Sequence, residues 1–147
     1  MTAGFAISRE TLEQNASQFA RCIQFALPHF PIPLSSCFVN VAKNGRKDSD
    51  RYKAWKIETD AALARKRNLC GHPGSPTIPG TVTVCFSLRR PDKRQRDLDN
   101  CLKALGDTLT RNHIIEDDSK IVDLRIRWTG ENFDGAVMVE IIEGGAP

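Results

Sequence analysis

The period of the apolar positions changes several times along the chain, and each change marks an element. Residues 81–88, TVTVCFSL, alternate. Val82, Val84, Phe86 and Leu88 share one face, and Thr81, Thr83, Cys85 and Ser87 share the other, which predicts a half-buried strand. From Asp97 the spacing becomes helical. Leu98, Cys101, Leu102, Leu105 and Leu109 form one stripe. Gly106 weakens this helix by about 1 kcal/mol against alanine without breaking the stripe, and Asn112 is expected as a left-handed C-cap. After Asp118 period two returns. Val122, Leu124, Ile126 and Trp128 lie on one face, and Asp123, Arg125 and Arg127 on the other. Gly130 to Gly135 predicts a turn, and Ala136 to Ile142 a last strand.

The N-terminal half reads less cleanly. Leu12, Ala16, Phe19, Ile23 and Ala26 recur at helical spacing, so a helix is expected over 8–26, with Ser8 as N-cap. Pro28, Pro31 and Pro33 end it. Residues 34–42 predict a strand, and Asn44-Gly45 a turn. A further helix is expected from Ser49 to about Asn68, with Tyr52, Trp55, Ala62 and Leu63 on its apolar face. Its Arg65-Lys66-Arg67 complement the helix dipole at the C-terminal end, so they are weak grounds for nucleic-acid binding. The Gly/Pro stretch 71–80 reads as a connection within one domain. The resulting fold class is α+β (α/β): a single domain with a mixed β-sheet and packed helices.

Composition narrows the class only a little. A chain of 147 residues with net charge +3 is long enough to bury a core without staples. Cys22, Cys37, Cys70, Cys85 and Cys101 are dispersed and odd in number, which points to free thiols in a reducing, cytoplasmic setting. No signal-peptide pattern opens the chain, and no run is long enough to span a membrane.

Charge is informative where it is segregated, in Arg89 to Lys120. A basic run, RRPDKRQR, leads into Asp97-Leu98-Asp99-Asn100, then Lys103, then Glu116-Asp117-Asp118. Within one helix Asp97 and Asp99 would diverge by about 200°, so they converge only if Asp97 stands at or before the helix start. Lys103 follows Asp99 by one helical turn and shares its face. Asp117 and Asp118 enter a strand pointing to opposite faces, and spacing leaves open which one turns towards Asp99. Two readings compete. In the first, Asp97 is an N-cap, Asp99–Lys103 a helix ion pair and Asp117 a turn residue. In the second, the carboxylates hold a hard cation such as Mg²⁺ or Mn²⁺, Lys103 faces a phosphate, and Arg89, Arg90, Lys93, Arg94 and Arg96 hold a polyanion's backbone. Lys43 to Lys56 carries a milder basic excess, read either as a solvated face or as a phosphate-contacting loop. His29, His72 and His113 are too scattered to suggest zinc.

At this stretch the chain resembles the RusA family of Holliday-junction resolvases. The resemblance rests on RRPDKRQR, DLDNCLKAL, Asp107 with Leu109, and IIEDDSKIVDL. A looser match covers PIPLSSCFVN and the helix after it. The resemblance implies a RusA-like fold and a homodimeric, Mg²⁺-dependent endonuclease. Such an enzyme cuts four-way DNA junctions by paired symmetric nicks in recombination and repair. It further implies metal ligands at Asp97, Asp99 and Asp118 and a functional lysine at Lys103, and it is what selects Asp118 over Asp117. On this reading residues 1–29 are an N-terminal helical extension and 30–147 the nuclease domain. Leu34 departs from the proline usual at that place in the family, which bears on the 34–47 segment. The rival readings are a branched-DNA-binding protein without catalysis, and a metal nuclease acting on flaps or RNA.

Overall fold

A computed structural model of the chain describes residues 22–43, 45–69 and 77–144. Its main sheet has the order β1-β6-β4-β5, and a separate hairpin pairs β2 with β3. The strands are β1 (Cys22–Leu27), β2 (Phe38–Val41), β3 (Gly45–Asp48), β4 (Val82–Leu88), β5 (Ile121–Trp128) and β6 (Val137–Glu143). The helices are α1 (Leu34–Cys37), α2 (Asp50–Leu69) and α3 (Leu102–Arg111). Short 3-10 turns, Leu98–Cys101 and Asp118–Lys120, precede α3 and β5. This is the expected α+β arrangement on a mixed sheet. β4 and β5 run parallel, and the other pairings of the main sheet are antiparallel.

The alternating pattern in β4 does what its period requires. Val82, Val84, Phe86 and Leu88 are fully buried and cluster with Val137, Val139 and Ile141 of β6 and with Leu105 and Leu109 of α3. One sheet face therefore carries the helices. Fully burying a side chain of this size contributes about 1.5–3 kcal/mol. Ile78, also fully buried, bridges to Ile115 and ties the segment before β4 to the end of the α3 excursion. A smaller cluster of Ile32, Cys37, Tyr52, Trp55 and Ala104 joins α1 and α2 to the other side of α3.

The N-terminal reading is corrected. Residues 22–26 do not continue a helix, because Cys22–Leu27 is a strand paired antiparallel with β6. Two periods overlap there. Ile23 and Ala26 extend the helical spacing, while Ile23, Phe25 and Leu27 alternate towards the core. The free edge of β6 decides between them by pairing the backbone. A boundary at residue 29 would thus separate an edge strand from its sheet. Residues 1–21, and with them most of the expected helix, lie outside the described residues.

Other local expectations shift as well. Residues 34–42 divide into α1 and β2, and β2 returns as β3 after a turn that puts Gly45 at φ 74°. Ser49 caps α2: its Oγ accepts from the Tyr52 N–H at 3.2 Å and donates to the Ser36 carbonyl at 2.7 Å. At the end of α3, Asn112 is not left-handed (φ −90°); His113 is, with φ 55°. Asn112 acts through its side chain, donating to Asp60 and to the Thr108 carbonyl, both at 2.9 Å.

Candidate active site

The connection between the parallel strands β4 and β5 carries the charged stretch. Residues 89–97 lead the chain from β4 into the 3-10 turn Leu98–Cys101, which packs against β5 and continues as α3. The apolar residues Leu98, Leu102 and Leu105 hold this segment on the sheet, so its polar side chains stand over a cleft. Asp99, Lys103, Asp107 and Asp118 line that cleft, about 470 Å³ in volume, above an apolar floor that includes Phe86, Ile121 and Leu124. A second cleft of about 420 Å³ shares Lys103, Asp107 and Asp118 and adds Tyr52, Lys56 and Asp117.

The structural reading of these charges fails at Asp97 and Asp99 and holds at Asp117. Asp97 occupies the N-cap position but makes no side-chain capping bond, and it lines neither cleft. Lys103 pairs with Asp107 at 3.2 Å, one turn ahead of it, and not with Asp99. The Asp99 carboxylate forms no ion pair among the described residues. Asp117 is the capping residue: it accepts from the Ser119 backbone N–H at 3.2 Å and from the Ser119 hydroxyl. The Ser119 hydroxyl bond and then that N–H hold the Asp117 carboxyl below its ordinary value. Asp118 shares the larger cleft with Asp99, whereas Asp117 does not. Among the described residues, no three His, Cys, Asp or Glu side chains are grouped closely enough to enclose a metal ion. The donor type nevertheless suits a hard cation: Asp99, Asp107 and Asp118 offer oxygen ligands in one cleft, with neither His nor Cys beside them.

Asp107 is the residue that spacing overlooked. Besides Lys103, it receives the Tyr52 hydroxyl at 3.4 Å. Burial, and then the nearby Asp107 carboxylate, push the Tyr52 hydroxyl well above its ordinary value, so it remains a donor. Tyr52 is 2% exposed, packs edge-on against Phe38 and carries the Lys56 ammonium 4.4 Å above its ring. Lys56 also pairs with Asp48, and the Arg46 guanidinium lies 4.8 Å over Phe38. The basic excess of 43–56 is therefore partly engaged in packing. The signal for Asp107 was its place one turn after Lys103, but its buried partner on α2 could be found only in three dimensions. Cys101 is buried, and that burial pushes its thiol up to about 11, which keeps it an unreactive core residue.

The basic run separates into distinct roles. Arg89 donates to the carbonyls of Phe133 and Gly135 at 2.9 and 3.2 Å, so it fastens the 129–135 loop. Arg90 lies 4.3 Å over the Trp128 ring. Arg96 pairs with Asp92 at 2.7 Å and lies 5.5 Å over Phe30. Lys93 and Arg94 are exposed and make no side-chain contact of this kind among the described residues.

The family model described as Endodeoxyribonuclease RusA matches residues 35–142. The chain is 42% identical over 64 residues to the crossover junction endodeoxyribonuclease RusA of Escherichia coli strain K12. The same match, at the same identity, is found with the enzyme of that name from Shigella sonnei strain Ss046. The crossover junction endodeoxyribonuclease rusA of Enterobacteria phage 82 is 36% identical over 64 residues. Each match covers 44% of this chain and 53% of the relative, so the chain spans about half the length of the curated relatives it matches. With the family model covering the charged connection and the strands β4 and β5 that it joins, the chain belongs to the RusA endodeoxyribonuclease family.

Proposed function

We propose that the protein is a divalent-metal-dependent endodeoxyribonuclease that resolves four-way DNA junctions, acting as a homodimer that makes paired symmetric nicks. The observation that carries this reading is the cleft shared by Asp99, Lys103 and Asp118, groups that come from opposite ends of the β4–β5 connection. The names of the relatives, crossover junction endodeoxyribonucleases, supply the substrate class.

Asp99 and Asp118, which line the cleft, would hold the ion, Mg²⁺ with Mn²⁺ as a substitute; Asp107 lines the same cleft and would assist, and Asp97, two residues before Asp99, is the third ligand that the family resemblance implies. When bound, such an ion polarises a phosphoryl oxygen and makes water more acidic. The remaining work falls to the protein's own side chains. Lys103 is a cation facing the same cleft and stabilises negative charge that develops on the phosphate during in-line attack. Tyr52 and Asp107 fix the position of that ammonium. Lys93 and Arg94, whose side chains make no ion pair or hydrogen bond among the described residues, contact the DNA backbone without reading sequence. A two-fold dimer presents equivalent clefts to equivalent strands, which is the symmetry that paired nicking needs.

The test compares a four-way junction with linear duplex, flap and single-stranded DNA, in Mg²⁺ and in chelator. Selective nicking of the junction in Mg²⁺, with binding but no nicking in chelator, is the expected result. Junction binding with no nicking in either Mg²⁺ or Mn²⁺ would leave a non-catalytic branched-DNA binder. Preference for flaps or RNA would assign a different nuclease.

A further inference from the structure

At the C-terminal ends of β4 and β5, side chains from separate parts of the chain form a stack. Phe30, from the segment after β1, lies parallel to Trp128 at the end of β5, with ring centroids 6.0 Å apart and planes 5° from parallel. Arg96 covers Phe30 at 5.5 Å, and Arg90 covers Trp128 at 4.3 Å. Beside Trp128 opens a cleft of about 520 Å³ whose rim includes Arg89, Arg90, Glu131 and Asn132. It is a built cleft. Arg89 ties the Phe133 and Gly135 carbonyls, and the Thr129 N–H donates to the Leu88 carbonyl at 2.8 Å. Gly135, at φ 136°, has no room for a Cβ, which would meet the Leu27 carbonyl oxygen at 2.8 Å. The loop that walls the cleft is thus pinned to β1 and β4.

We infer that this cleft takes an unpaired nucleobase of the DNA, stacked on Trp128 and read at its edge by Asn132. The inference rests on the nuclease reading given above. Its grounds are chemical. An aromatic face beside exposed cations is the combination that holds single-stranded nucleic acid: the cations follow the backbone, and the ring stacks any base. The guanidinium of Arg90 already occupies the stacking position, and because Arg90 is exposed a base can displace it or slide beneath it. The Asn132 amide offers both a donor and an acceptor to a base edge, while Glu131 disfavours a phosphate at the same point and so favours the base. Duplex DNA keeps its bases stacked on one another. The occupant is therefore a base splayed from a branch point or from a single strand. β5 runs roughly 23 Å between Ile121, beside the acidic cleft, and Trp128, so the base is held several nucleotides from the scissile phosphate.

The test uses the full chain in chelator, so that nothing is cut. Trp55 is 4% exposed, and quenching by added oligothymidylate therefore reports on Trp128. Saturable quenching is expected. Trp128→Leu should weaken oligothymidylate binding roughly five- to hundredfold while leaving linear-duplex affinity unchanged, and Trp128→Phe should stay within about threefold of wild type because a ring remains to stack. Binding at saturation without quenching would overturn the inference, as would equal losses on single strand and duplex, which would reduce Trp128 to a phosphate-contact or folding role. Should Trp128→Leu fail to fold, the wild-type quenching and Trp128→Phe decide. Junction cleavage in Mg²⁺, measured on the same wild-type preparation, separates the two ideas. Cutting without quenching sinks only the base site; neither cutting nor binding of any DNA sinks the nuclease reading and the base site with it.

Discussion

The two ends of α3 carry similar charges and treat them differently. At its C-terminal end Arg111 grips both carboxylate oxygens of Asp60, Nε at 2.9 Å and Nη2 at 2.8 Å, and Asn112 adds a third donor. Burial alone would raise the Asp60 carboxyl, but the hydrogen bonds from Arg111 and Asn112 outweigh it and hold the group below its ordinary value. At its N-terminal end Asp99 has no ion-pair partner among the described residues, and Lys103 has one, Asp107, whose two carboxylate oxygens both lie 3.2 Å from its ammonium. One end joins α3 to α2 and has its charges paired with each other. The other faces a cleft and keeps bonding capacity for something from outside. Partner count, more than charge density, distinguishes an ion pair that holds the fold from a group that awaits a ligand.

Substitutions at the two ends should separate these roles. The largest effect is expected from Asp99→Asn or Asp118→Asn, each lowering junction cleavage by about a thousandfold or more. That corresponds to losing several kcal/mol of transition-state stabilisation. Both positions are exposed, so thermal stability should stay within about 0.5 kcal/mol and junction binding in chelator should persist. Full Mg²⁺-dependent cutting by both variants would remove the cleft from the mechanism. Lys103→Ala comes next, with a loss of roughly a hundredfold in single-turnover cleavage and little change in unfolding.

At the other end the readout is stability. Asp60→Ala strands the Arg111 guanidinium and should cost about 1–2 kcal/mol, allowing for solvent screening of a pair about a third exposed. Cleavage by the folded fraction should be unchanged. The pH dependence follows from the lowered Asp60 carboxyl. A depressed folded-state value contributes stability that is fully present above the ordinary value of 3.8 and is lost as pH falls through the lower folded-state value. The gap in melting temperature between wild type and Asp60→Asn should therefore close on acidification, and a gap constant down to the acid limit would contradict the pairing. The smallest effect is expected from Tyr52→Phe, which removes the 3.4 Å bond to Asp107 while keeping the ring. Cleavage should fall only a few-fold, below the Lys103→Ala effect, and combining the two changes should add little if Tyr52 acts through Lys103.

Periodicity carried much of the sheet and the helices around the site. β4, α3 and β6 fell where their apolar spacing put them, because each buries one face against the same core and that burial enforces its period; β5 fell in place too, but only Ile121, Ile126 and Trp128 pack partly buried on that core, and Leu124 stays 45% exposed. Legibility failed where a partner distant in sequence made the choice. Residues 22–27 carry both periods, and β6 selects the strand. Asn112 has the composition of a left-handed cap, yet Asp60 claims its amide, and the left-handed conformation passes to His113.

For the charged stretch the same division holds. Residue type and spacing restricted the acidic groups to a hard-cation site or a set of caps, and put Lys103 on the face of Asp99. They were silent on whether Asp117 or Asp118 turns towards Asp99, on Asp107, and on which arginines are already occupied. Those outcomes depend on a local turn, in which Ser119 engages Asp117, and on contacts across the fold: Tyr52 reaching Asp107 from α2, and Phe30 with Trp128 receiving Arg96 and Arg90. A linear pattern fixes where a side chain points along its own element. Which partner it meets there depends on how the elements pack, and only the tertiary structure decides that.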